Sequence, residues 1–166
     1  MTFWMSSGSR DFAEDFMIIE LRVIDNDNRA ECEQLSVSSE QKQYIASNVE
    51  SLVTAEDNAG VARPFAVYAD GKMVGFTMLA FDENYEDPND RYWLWRLMID
   101  HRLQQNGYGT AALQAIIRYF KDHGANNIRL STKETNTHAL SMYRKAGFRD
   151  TGEMNGEETV LQLDLY

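Results

Sequence analysis

The chain of 166 residues is 43% apolar and 25% charged, with a formal net charge of −10, which fits one soluble globular domain with a sizeable core. No apolar run approaches the roughly 20 residues that cross a bilayer, and an acidic balance disfavours the phosphate neutralisation on which nonspecific nucleic-acid binding rests; neither partner is expected, and cationic small molecules are the ones to look for. Cys32 is the only cysteine, which excludes an internal disulfide and a thiolate metal centre and points to a reducing cytoplasm.

Residues 1–16 hold no basic region followed by a long apolar run, so they read as a flexible tail or expression remnant, with residues 17–166 as the single domain. Residues 18–24 alternate loosely between apolar and charged side chains, as a half-buried strand does, and the turn formers Asp25 to Asn28 lead into a helix over residues 29–35. Ser38, Ser39, Glu40 and Gln41 predict the start of a second helix, with Tyr44, Ile45, Asn48, Val49 and Leu52 on one side of it. Strands over 65–68 and 73–81 flank Asp70-Gly71, a type I′ hairpin signal. Residues 92–99, interrupted only by Arg96, predict a strand buried on much of both faces at the centre of a sheet.

A long helix over residues 107–123 places Ala112, Ile116, Tyr119 and Phe120 on one stripe and ends at Gly124. A short strand at 127–132, a helix capped by Asn136 and ending before Gly147, and a strand from Phe148 follow. Asn155-Gly156 then signals a second type I′ turn before a last strand over 159–165. The order strand, helix, helix, three strands, helix, strand, helix, two strands describes a mixed α/β sheet of about seven strands with about four helices.

The stretch Gln104-Gln105-Asn106-Gly107-Tyr108-Gly109-Thr110 stands between a buried strand and a long helix. Glycines there let backbone approach a ligand, and the helix N-terminus offers free N–H groups and a favourable dipole to a pyrophosphate. A bare G-x-G also fits an ordinary strand-to-helix turn. Preceded by Leu97-Met98-Ile99-Asp100, however, it resembles the Q/R-x-x-G-x-G/A signature of the GNAT acetyltransferase superfamily. A second segment, Asn136 to Phe148, is similar to that family's N-x-x-A-x-x-x-Y-x-x-x-G-F helix, on which Asn136 and Tyr143 lie two turns apart on one face.

The resemblance implies a GNAT-like, mostly antiparallel sheet and an acetyl-CoA-dependent N-acetyltransferase. It assigns the pantetheine arm to the backbone of Leu97, Met98 and Ile99, the pyrophosphate to Gln104, Gln105, Asn106, Gly107, Tyr108, Gly109 and Thr110, and further cofactor contacts to Asn136 and Tyr143. The N–H of Met98 or Ile99 would polarise the thioester carbonyl and the Tyr143 hydroxyl would protonate the departing sulfur. Direct attack by the amine is expected, since neither Cys32 nor any serine lies in a nucleophile motif. His101, His123 and His138 have no metal-ligand spacing, and no metal is expected; Arg102, Lys133 and Arg144 read as surface cations.

For the acceptor, residues 35–55, Trp93-Leu94 and Arg96 to Asp100 resemble the bacterial spermine and spermidine acetyltransferases, which implies a polyamine. That branch often carries an acid between Leu94 and Arg96, where this chain has Trp95, a residue that either stacks on the acceptor or fills the core. Glu50, Glu83 or a water chain is left to accept the amine's proton. Asp82, Glu83, Glu86, Asp87 and Asp90 form an acidic loop that either attracts a polycation or is a solvated surface. Alternatives are another amine (an aminoglycoside, an amino acid or a protein N-terminus) or a non-catalytic acyl-CoA-binding module; a homodimer is compatible with all of them.

Overall fold

The computed structural model describes residues 17–166, so the expected tail at residues 1–16 lies outside the described residues. Seven strands and four helices follow in the expected order: β1 (Ile19–Val23), α1 (Arg29–Gln34), α2 (Asn48–Asp57), β2 (Ala62–Ala69), β3 (Lys72–Phe81), β4 (Tyr92–Ile99), α3 (Tyr108–Asp122), β5 (Asn127–Thr132), α4 (Thr137–Lys145), β6 (Arg149–Asn155) and β7 (Glu158–Asp164). They form one mixed sheet in the order β1-β2-β3-β4-β5-β7-β6, with β4 at its centre. Every neighbouring pair is antiparallel except β4 and β5. Among the described residues no helix is long and apolar enough to cross a membrane.

Local chemistry explains most boundaries. Asp70 and Gly71 both have positive φ, 50° and 82°, as a type I′ turn between β2 and β3 requires. The β6–β7 hairpin differs from expectation. Its two loop residues are Gly156 and Glu157, since Asn155 pairs with Glu158. Only Gly156, at φ 60°, is positive, the pattern of a type II′ turn rather than type I′.

The second helix also starts later than the sequence predicts. Residues 41–43 make only a single 3-10 turn, and α2 begins after Ser47, whose side chain accepts from Glu50 N–H while the Glu50 carboxylate accepts from Ser47 N–H. This reciprocal capping box satisfies two otherwise orphaned donors. Ser38 offers a weaker signal of the same type: its N–H reaches the Gln41 side chain at 3.3 Å, but Gln41 is drawn elsewhere.

Apolar clusters cover both faces of the sheet. On one face, α3 and α4 bury Leu113, Ile116, Phe120 and Leu140 against Phe65, Leu79, Phe81 and Leu94. On the other, Cys32 and Leu52 from α1 and α2 meet Phe76, Met78 and Met98. Phe76 and Phe120 are wholly buried, and burial of each stabilises by roughly 1.5–3 kcal/mol. Tyr119, expected on the buried stripe of α3, is half-buried and stacks on His123 with centroids 3.9 Å apart. Strand β4 is less buried than expected: Leu94, Met98 and Ile99 are covered, while Trp93, Trp95, Arg96 and Leu97 are only half-buried. The reason is an opening beside this strand.

Candidate functional site

The opening is made by two irregularities of β4. Its parallel pairing with β5 consists of one residue pair, Trp93 with Arg129, after which the strands part. On the other side, Leu94 pairs with Leu79 and Arg96 with Met78, so Trp95 is an extra residue. A bulge of this kind bends a strand and resets its alternation. Leu94 accordingly enters the core beneath α3 and α4, while Trp95 and Met98 pack on the core beneath α1 and α2. Gly75 holds the far end in place: it pairs with Ile99, and a Cβ there would stand 2.2 Å from the Met98 carbonyl oxygen. Only glycine allows that approach.

The resulting cleft, ≈ 970 Å³, is lined by both strands, by residues of the α1–α2 connection, by the start of α3 and by α4. Of the residues expected to contact a cofactor, Leu97, Met98, Ile99, Gln104, Gln105, Tyr108, Gly109, Asn136 and Tyr143 all line it. Asn106, Gly107 and Thr110 are exposed and outside its lining. Helix α3 starts at Gly107, φ 83°, without any side-chain cap. Its first helical bond runs from Ala111 N–H to Gly107, which leaves the preceding N–H groups for an anion. Gln105, φ 65°, and the Asn106 amide, which donates to the Leu103 and Gln104 carbonyls, shape the loop. An uncapped helix start beside an elongated cleft fits the pyrophosphate and arm of acetyl-CoA.

The Gln104 side chain, which lines the cleft, is also tied to its neighbours. Its amide donates to the Ile99 carbonyl at 2.9 Å and exchanges two hydrogen bonds with the Gln41 amide, 2.9 and 3.1 Å. It thereby fastens the α1–α2 connection to the glycine loop. Asp100 reinforces the junction, accepting from Ser36 N–H and from the Arg102 N–H and guanidinium. Burial of Asp100 pushes its carboxyl pKa upward, but these Arg102 and Ser36 bonds outweigh that and hold it below the usual carboxylate range. Sequence reasoning missed the ties of Gln41 to Gln104 and of Ser36 to Asp100, because these partners lie more than sixty residues apart along the chain.

Across the cleft, Asn136 stands at the N-cap of α4, yet its side chain donates to Thr132 Oγ1 at 3.1 Å and makes no cap bond. The expected side-chain cap is therefore replaced by a tie to β5. Tyr143 is buried, edge-on to Phe148 with centroids 5.8 Å apart. Burial pushes its hydroxyl pKa up to about 12, so it stays protonated at neutral pH. Among the described residues the hydroxyl has no hydrogen-bond partner. A protonated donor facing a cleft is what a general acid needs.

Of the three residues expected near an acceptor, Glu50 and Trp95 line the cleft and Glu83 does not. Glu83 is exposed on the β3–β4 loop. One Glu50 oxygen is committed to the α2 cap. In the acidic loop, Asp90 is ion-paired at 3.0 Å with Arg129, which also holds Glu153 at 2.9 Å; this part of the loop is anchored structure. Cys32 is buried with its thiol pushed up to about 12 by desolvation, which leaves no thiolate for nucleophilic attack. Arg102 and Arg144 are engaged with Asp100 and Asp150. Among the described residues no group of three His, Cys, Asp or Glu side chains is arranged to hold a metal ion. The cleft also takes in Ser131, Asn155 and Glu158, which carry no sequence signature.

The family model for the acetyltransferase (GNAT) family matches residues 28–148. The spermine/spermidine N(1)-acetyltransferase of Bacillus subtilis (strain 168) is 34% identical over 151 residues, covering 88% of this chain and 99% of that protein. Among solved structures, the spermidine N-acetyltransferase from Vibrio cholerae in complex with CoA and spermine has a TM-score of 0.64 at 19% identity, covering 87% of this chain and 92% of that one. An aminoglycoside acetyltransferase in complex with coenzyme A and kanamycin reaches 0.72 at 16% identity, covering 89% and 95%. At these identities the two structural likenesses speak for the fold alone.

Proposed function

Because the chain belongs to the acetyltransferase (GNAT) family, and so is an acetyl-CoA-dependent N-acetyltransferase, we propose that it acetylates a primary amine of a linear polyamine, with Tyr143 as general acid. The observation that carries this reading is a cleft passing between β4 and β5. It has a protonated tyrosine on one side and, on the other, two tryptophans and two carboxylates, Trp93, Trp95, Glu50 and Glu158. The curated relative named for spermine and spermidine supports the same acceptor class.

Acetyl-CoA supplies an activated acyl carbon. The free start of α3 and the loop from Gln104 to Thr110 hold its pyrophosphate, Leu97 to Ile99 line its arm, and the N–H of Ile99, which faces the opening while that of Met98 faces Phe76, polarises the carbonyl. The neutral amine forms the new C–N bond, the C–S bond breaks, and the Tyr143 proton goes to the sulfur; the amine's own proton is lost to cleft water. With Trp95 filling the place of a carboxylate and Glu50 tied to its cap, the amine arrives as the free base. The rate therefore rises with pH through the titration of the amine. Tyr143, holding its proton up to about 12, imposes no descending limb below that range.

The test is a steady-state assay of CoA release with acetyl-CoA and spermine, spermidine, lysine or a peptide N-terminus. Turnover that requires both substrates and favours the polyamines is expected. Preference for lysine or the peptide would overturn the acceptor, and acetyl-CoA binding without transfer to any amine would overturn catalysis.

A further inference from the structure

Glu158 stands where a charged acceptor must pass. Strands β4 and β5 pair at Trp93 and Arg129, and beyond that pair Trp95 and Ser131 both line the opening. Leu130 is buried beneath α3 and α4, and alternation turns Ser131 to the opposite face, the one on which Trp95 packs. There Ser131 Oγ donates to Glu158 Oε1 at 3.1 Å and accepts from the Asn155 amide at 3.3 Å. One carboxylate oxygen is thus fixed in orientation. Among the described residues the other, Oε2, has no protein partner and Glu158 has no ion pair.

Glu158 and Glu50 are the acids that line the cleft among the described residues, and Glu50 spends an oxygen on Ser47 N–H. An amine reaching the gap between β4 and β5 from this face passes Glu158 and the rings of Trp93 and Trp95. The reacting nitrogen must be neutral, whereas the next nitrogen of a polyamine, a few methylenes behind, keeps its charge. We propose that Glu158, oriented by Ser131, binds that second ammonium and so selects polyamines over monoamines. This rests on the polyamine reading above.

The experiment compares wild type, Glu158→Gln and Glu158→Asp on spermidine and on hexylamine, with acetyl-CoA affinity measured for each as a check of folding. For Glu158→Gln, a loss of about tenfold or more in kcat/KM is expected on spermidine, carried by KM. Hexylamine should change by less than about twofold, acetyl-CoA affinity should be unchanged, and Glu158→Asp should retain more spermidine activity than Gln. Undiminished spermidine activity in Glu158→Gln overturns the assignment while leaving polyamine acetylation by the wild type intact. Equal losses on both amines through kcat, with an altered pH profile, also overturn it and make Glu158 a proton acceptor instead. A wild type that acetylates hexylamine but not spermidine overturns both this inference and the polyamine reading.

Discussion

Tyr143 can act as an acid only while it keeps its proton, as a phenol does at neutral pH, and the burial that closes α4 over the sheet extends that range upward to about 12. Tyr143→Phe should lower kcat by roughly 10²–10⁴ and leave the acetyl-CoA dissociation constant nearly unchanged, as stopped-assay kinetics and calorimetry would show; an equally active variant would remove the assignment. Asp100 carries a different pH signature. Its folded-state pKa lies below the unfolded value, so its contribution to stability is present above about pH 3.9 and is lost as pH falls through the lower folded value. Asp100→Asn should be less stable at neutral pH and show a flatter acid limb in thermal melts. A helical spacing and a family motif single out Tyr143 in the sequence, and the structure sets it in the lining of the cleft. Glu158 is a single acid after a tight turn, and only the pairing of β5, β6 and β7 brings it to the cleft.

At the scale of elements, the strands and long helix were legible because turn residues and apolar periodicity agree there. The start of α2 was misread because Ser38 to Gln41 and Ser47 to Glu50 present similar cap patterns, and only the second closes reciprocally. Ser47→Ala should cost about 1 kcal/mol, seen as a lower urea midpoint with an unchanged m-value. The bulge at Trp95 was not legible, since residues 92–99 are nearly all apolar and give no alternation for a bulge to interrupt. Gly75 belongs to the same device. Gly75→Ala must move the Met98 carbonyl, at a cost of about 1–3 kcal/mol, and should raise the acetyl-CoA dissociation constant as well as lower the melting temperature. Acetyl-CoA affinity unchanged beside normal stability would show that β4 absorbs the methyl freely.

For the molecule as a whole, a net charge of −10 predicts that kcat/KM for a polycationic amine falls as ionic strength rises, because attraction at a distance is screened beyond about 10 Å at 0.1 M salt. A neutral acceptor should respond little, and equal salt dependence for both would deny steering. The parallel seam between β4 and β5, a single residue pair in the middle of the sheet, carries a further consequence. Past Trp93, those β4 amides that do not bond to β3 are in an edge strand's situation although the strand is central. Deuterium should therefore enter at Leu97 and Ile99, whose N–H groups face away from β3, sooner than in the fully paired interior of β3, and a ligand lying along the opening should slow that entry as a neighbouring strand would.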